Sequence, residues 1–145
     1  MSIAIINGPN LNLLGRREPN IYGSETLDDT LAELGLQFPG DAFSFFQSNS
    51  EGEIIDILQK EGYMAECRGI ILNPGAYAHY SIAIADAIRA IPVPVVEVHI
   101  SNIHSREEFR HTTVTGAAAD AVITGCGRFG YRLAVEYLLS LQKQR

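Results

Sequence analysis

Three observations predict an α/β fold, a three-layer sandwich with a five-stranded parallel sheet in the middle. Short aliphatic runs such as Ile3-Ala4-Ile5-Ile6 and Gly69-Ile70-Ile71-Leu72 are continuously apolar, as strands covered on both faces are. Stretches with apolar residues at helical spacing separate them. Strand and helix alternate along the chain, which requires a parallel sheet with helices on both faces.

Strand one covers Ser2 to Ile6 and ends at Asn7-Gly8-Pro9-Asn10. The connection from Leu11 to Gly23 is long for an α/β unit, where loops usually run about 2–6 residues. It carries Arg16, Arg17 and Tyr22, and long loops at strand ends are commonly lids or binding loops. Helix one begins near Ser24 or Thr26, carries a Leu27, Leu31, Leu34 stripe, and ends by Gly35 and Pro39-Gly40-Asp41. Strand two is Ala42 to Phe46. Ser50-x-x-Glu53 reads as a capping box for a helix that buries Ile54, Ile57 and Leu58 and stops at Gly62, with Asp56 and Lys60 as an exposed i,i+4 pair. Strand three is Gly69 to Leu72. Helix three turns Ile84, Ile88 and Ile91 inward and is stopped by Pro92 and Pro94. Strand four starts at Val95. Ser105-x-x-Glu108 reads as a second capping box that opens a short helix, with Arg106 and Arg110 on one face. Strand five is Ala121 to Thr124. A last helix from about Phe129 to Leu141 carries Leu133, Tyr137 and Leu141 at i, i+4 and i+8.

Five strands of this length suit the flavodoxin-like order 2-1-3-4-5, in which ligands bind beyond the strand ends where the order reverses. That order collects three polar segments in one crevice: Asn10 through Tyr22, Asn73 through His79, and His99 through Arg110. On strand four, Val96, Val98 and Ile100 share one face, and Glu97, His99 and Ser101 the other. A carboxylate two residues from an imidazole can set its tautomer and basicity. With two guanidinium groups following, the stretch suits a small anionic ligand.

The chain has 145 residues, 46% hydrophobic and 19% charged, which is one domain, 1–145, with enough length for a core. A net charge of -6 argues against nucleic acid, which needs a basic face. Cys67 and Cys126 make neither a disulfide framework nor a metal motif. No apolar run is long enough for a bilayer, and the start of the chain has no basic stretch or cleavage site, so a cytoplasmic protein without a signal peptide is expected. Gly125-Cys126-Gly127-Arg128-Phe129-Gly130 fits G-x-G-x-x-G, but it follows the last strand, leaving no later strand to carry a ribose-binding acid. Its glycines read as a tight turn and close helix–sheet packing. Two other functions compete. A flavin- or phosphate-binding module would want a different crevice, since a phosphate-accepting receiver needs an acidic cluster. A metal-dependent hydrolase would use His79, His99, His104 and Glu97, although His104 lacks clear ligand spacing.

Four segments, Asn7–Gly23 (NGPNLNLLGRREPNIYG), Leu72–His79 (LNPGAYAH), Glu97–Asn102 (EVHISN) and Arg106–Arg110 (REEFR), resemble those of the type II 3-dehydroquinate dehydratases. The resemblance spans essentially the whole chain. Two features depart from it: Ser50 stands where the family often has histidine, and helix one looks short, with Pro39-Gly40 in an unusual place.

The resemblance implies dehydration of 3-dehydroquinate to 3-dehydroshikimate by anti elimination through an enolate, with no metal or cofactor, in a homododecamer built as a tetramer of trimers. It implies Tyr22 as the base, acting as tyrosinate beside Arg17. Bringing a phenol from about 10 to near 7 takes about 4 kcal/mol. One cation at about 4 Å supplies on the order of 4 kcal/mol at an effective dielectric of about 20. Desolvation opposes this, so a second cation, Arg106, would help. In the same way His99, oriented by Glu97, becomes the acid for the departing hydroxyl. Asn73 holds the enolate through a water, and Asn10 orders Tyr22 and that water. The backbone amides of Ile100 and Ser101 take the substrate carboxylate, His79 and Arg110 bind ring hydroxyls, and Asp86 reaches a neighbouring subunit's site.

Overall fold

The computed structural model describes residues 1–15, 20 and 26–142. The fold is a single five-stranded, all-parallel sheet, as the sequence predicts. Its strands are β1 (Ser2–Asn7), β2 (Ala42–Gln47), β3 (Cys67–Asn73), β4 (Val95–His99) and β5 (Ala121–Thr124), in the order β2-β1-β3-β4-β5. Among the described residues the helices are α1 (Leu27–Gln37), α2 (Glu51–Gly62), α3 (Ile82–Ala90) and α4 (Phe129–Gln142). None of them is long and apolar enough to cross a membrane.

Alternation along the strands builds two cores. Ile3, Ile5, Ile71, Val96 and Val98 face α1 and α4, packing with Leu34, Tyr131, Val135 and Leu138. Ala4, Ile6, Ile70, Leu72 and Val95 face α2 and α3, packing with Ile54, Leu58, Ile84 and Ile88. Each fully buried isoleucine or leucine contributes roughly 1.5–3 kcal/mol relative to exposure, so the central strands anchor the sheet. The edge strands β2 and β5 are only partly covered.

Local chemistry sets the element ends, and three expectations change. Helix α1 starts on a complete capping box in which Thr26 Oγ1 accepts from the Asp29 amide and Asp29 Oδ2 accepts from the Thr26 amide. At Ser50 only half a box forms. Ser50 Oγ accepts from the Glu53 amide, but the Glu53 carboxylate accepts from Ser48 Oγ instead of the Ser50 amide. After β4 there is no α-helix. Two 3-10 turns, Ile103–Ser105 and Glu108–Arg110, take its place. Ser105 Oγ donates to the Asn102 carbonyl rather than capping, and Arg106 is extended, with φ -107 and ψ -160. In α4 the inward residues are Tyr131, Ala134, Val135 and Leu138, while Tyr137 is 36% exposed. The Leu133, Tyr137, Leu141 stripe therefore lies beside the buried face rather than on it, with Leu141 partly buried against the core. Arg132, Glu136 and Ser140 mark the polar face, and the wide apolar remainder holds both stripes, so periodicity alone does not choose between them.

The G-x-G-x-x-G segment is a turn that closes over the end of β4. The Gly125 amide donates to the Ser101 carbonyl at 3.1 Å and the Gly127 amide to the Ile100 carbonyl at 3.0 Å.

Candidate active site

A cleft opens at the carboxyl ends of β1, β3 and β4, where the strand order reverses. Its polar lining includes Asn10, Asn73, His79, His99, Ser101, Arg106 and Arg110, with Leu11, Leu13 and Leu14 forming an apolar wall. Ile100 also lines it. Eight of the twelve residues singled out from the sequence thus meet in one place. Glu97 lies behind them, 0% exposed. Asp86 does not line this cleft. It sits on the exposed side of α3 with a 3.9 Å ion pair to Arg89. Arg17 and Tyr22 lie outside the described residues.

The first wall comes from the ends of β1 and β3, which are in register at Asn7 and Asn73. The Gly8 amide donates to the Asn73 carbonyl at 2.7 Å. A Cβ at Gly8 would stand 2.6 Å from the Pro74 carbonyl oxygen, so only glycine allows the two loops to meet this closely. Asn10 sits at φ 69, a left-handed conformation that asparagine tolerates better than most residues, and its amide donates to Asn49 Oδ1 at 3.0 Å. The Asn73 side chain is held from behind. Its Nδ2 donates to Tyr131 Oη at 3.1 Å, and the Tyr131 hydroxyl donates to Asn7 Oδ1. Asn73 Oδ1 accepts from the Gly75 amide at 3.2 Å. One Nδ2 hydrogen is thereby used, and the second remains to reach a ligand. Tyr131 is completely buried, and burial pushes its phenol far above the ordinary range, so it stays a neutral relay. Asn7 Nδ2 is buried with no partner among the described residues.

The second wall comes from β4 and the residues after it. His99 Nε2 lies 2.9 Å from Glu97 Oε2, and both side chains are buried. The carboxylate can only accept, so this nitrogen carries the hydrogen and Nδ1 is the ring's other functional atom. The His79 ring lies against that of His99, 6.1 Å between centroids and 24° between planes. His79 Nδ1 donates to the Thr112 carbonyl at 2.9 Å. Burial holds the His79 ring below the usual histidine value, opposed by the bond to Thr112. The two arginines share one carboxylate. Arg110 Nε stands 2.7 Å from Glu107 Oε2 and Arg106 Nε 3.8 Å from the same atom. The backbone amide of Glu107 and then the Arg110 guanidinium hold that carboxyl below the usual range. Arg106 also donates to Ser101 Oγ at 3.2 Å, and Arg110 lies over the Phe109 ring at 4.8 Å. Both guanidinium groups are thus aimed by neighbours while bordering the cleft. His104 does not line it. Its ring lies 6.1 Å from that of His111 on the exposed turn.

The sequence reading missed Tyr131, whose link to Asn73 spans 58 residues and has no local signature. It also missed Thr113 and Thr115, whose hydroxyls both donate to the Glu97 carboxylate.

A neutral amide wall facing a carboxylate-backed imidazole, on a parallel α/β sheet, is the equipment of an enzyme that moves protons on a small anionic molecule. The chain belongs to the class II dehydroquinase family, whose profile matches residues 1–139. It is 51% identical to a 3-dehydroquinate dehydratase of Clostridium botulinum over 142 residues, 96% of this chain and 95% of that one. A 3-dehydroquinate dehydratase of Helicobacter hepaticus is 53% identical over 146 residues, 99% of this chain and 92% of that one. The crystal structure of a type II dehydroquinase from Butyrivibrio crossotus superposes with a TM-score of 0.91 at 44% identity, covering 95% of this chain and 97% of that one.

Proposed function

We propose that this enzyme dehydrates 3-dehydroquinate to 3-dehydroshikimate in the shikimate pathway toward chorismate and the aromatic amino acids. The observation that carries the reading is the His99–Glu97 pair, 2.9 Å apart, at a cleft that Asn73, Arg106 and Arg110 also line. The reaction takes a proton alpha to a ketone and then expels a beta hydroxyl, so it needs a base, an enolate holder and an acid. Tyr22, as tyrosinate beside Arg17, removes the proton. Asn73 steadies the enolate oxygen through a water that Asn10 helps to order. His99 Nδ1 protonates the departing hydroxyl while Glu97 balances the charge on the ring. The amides of Ile100 and Ser101 take the substrate carboxylate, and His79 and Arg110 bind ring hydroxyls. Arg106 adds positive charge to the cleft.

The enzyme works as a single catalytic domain without metal or cofactor, in the cytoplasm, as a homododecamer arranged as a tetramer of trimers. In that assembly Asp86 meets a neighbouring subunit's site, which its exposure on α3 permits.

The experiment is an absorbance assay for the conjugated enone formed from 3-dehydroquinate, with and without chelator. Product should appear at the same rate in both, and its absence would reject the substrate. Tyr22→Phe should remove several orders of magnitude from kcat, and near-normal turnover would reject the base. Borohydride with substrate should leave activity intact, because the elimination forms no lysine imine.

A further inference from the structure

We infer that the loop Thr112–Gly116 is a positioning device that sets both imidazoles of the cleft, with Thr113 and Thr115 as positioning residues for His99. The inference rests on the acid–base reading of the site.

The observation begins with a burial problem. Glu97 is 0% exposed, and a buried carboxylate without partners is costly. Its partners among the described residues are His99 and two hydroxyls of this loop. Thr113 Oγ1 donates to Glu97 Oε2 at 2.7 Å, and Thr115 Oγ1 donates to Glu97 Oε1. Each carboxylate oxygen therefore has its own hydroxyl, and Oε2 is shared between Thr113 and His99, so the carboxylate cannot turn without losing one of these bonds. The direction of the Thr113 hydroxyl is itself constrained, since its oxygen accepts from the Gly116 amide at 3.0 Å. A Cβ at Gly116 would stand 2.6 Å from Thr113 Cγ2 and 2.9 Å from Glu97 Oε2, so the backbone must pass here as glycine.

The same loop reaches the other imidazole through its backbone. The Thr112 carbonyl accepts from His79 Nδ1 at 2.9 Å, and the Val114 amide donates to the Ala78 carbonyl at 2.7 Å. One five-residue segment thus touches both histidine-bearing elements. It presents a carbonyl to His79 and, through Glu97, a carboxylate to His99. Both are acceptors, so each ring is held in one tautomer: hydrogen on Nδ1 at His79, hydrogen on Nε2 at His99. The two rings then show opposite nitrogens to the cleft, Nε2 from His79 and Nδ1 from His99. Losing a hydroxyl should let the Glu97 carboxylate rotate and release His99 from its orientation, while substrate contacts made by Arg110 and Asn73 persist.

The test combines kinetics with solid-state 15N NMR of the histidine rings, using wild type, Thr113→Val, Thr115→Val and the two serine variants. The wild type should show the Nε2–H form at His99 and the Nδ1–H form at His79. Either valine variant should lower kcat about 10–100-fold with KM within about threefold, and mix the His99 tautomers. The serine variants should restore most of kcat. Valine variants with wild-type kcat and an unmixed His99 ring would overturn the inference. If the valine variants do not fold, the wild-type rings decide, since exchanging tautomers at both histidines would also overturn it. If wild type fails to turn over 3-dehydroquinate while the variants still mix the His99 tautomers, the substrate reading falls and the positioning role stands.

Discussion

His79 and His99 are neighbours in the same cleft, with rings 6.1 Å apart, yet they are built for different work. Behind His99 stands a buried carboxylate at 2.9 Å, which can balance a positive ring. Behind His79 stands a neutral carbonyl at 2.9 Å, which fixes a hydrogen but balances little charge. Burial further disfavours the charged form of His79. In the proposed mechanism the same side chain is therefore a proton donor in one place and a neutral hydrogen-bonding group in the other. What lies behind the ring decides its chemistry more than what lies in front.

Removing the difference should have the largest effect. Glu97→Gln keeps the shape but replaces the carboxylate with a neutral amide, and kcat for 3-dehydroquinate should fall about a hundredfold or more. A fall below tenfold would mean that the ring needs no counter-charge. Arg110→Ala removes a guanidinium from the cleft rim and leaves both rings in place. KM should rise about 10–100-fold, as expected for a hydrogen bond from a charged group, with kcat changing less. On the amide wall, Tyr131→Phe leaves Asn7 Oδ1 and Asn73 Nδ2 without their buried partner. Stability should drop by about 1–3 kcal/mol in urea denaturation, with a loss of kcat smaller than that of Glu97→Gln.

The smallest effect is on acid stability. An unfolded histidine takes up its proton near pH 6.5, and the folded His79 ring does so at lower pH. Between these values the unfolded chain binds more protons, so stability is intact above about pH 6.5 and declines on acidification. The decline stops once the folded ring is also protonated. His79→Asn should flatten this part of the curve of urea midpoint against pH, and an unchanged slope would place the lost stability in another group.

Much of this architecture is written locally in the chain. The runs Ile3–Ile6 and Ile70–Leu72 are apolar on both faces and occupy the centre of the sheet, at 0–1% exposure. Five strands alternating with helices suit the observed order β2-β1-β3-β4-β5, and that order brings Asn10, Asn73, His79 and His99 to one cleft. The Glu97–His99 contact was legible because strand geometry puts residues two apart on one side. Other features depend on partners far away in sequence. The helix expected after β4 gives way to two 3-10 turns because Ser105 bonds back to Asn102 and the backbone at Arg106 is extended. The inner face of α4 includes Ala134 and a tyrosine whose hydroxyl meets Asn7 across 124 residues. Thr113 and Thr115 reach Glu97 across 16 and 18 residues, and neither spacing belongs to a helix or a strand.

The most direct test of the central claim compares His99→Asn with His79→Asn, measuring kcat and KM for 3-dehydroquinate in each. His99→Asn should lose about 10²–10⁴-fold in kcat with KM nearly unchanged, the loss expected for a missing general acid. His79→Asn should raise KM and leave kcat within a few-fold. The reverse pattern, or near-normal turnover by His99→Asn, would contradict the assignment of the carboxylate-backed ring as the proton donor.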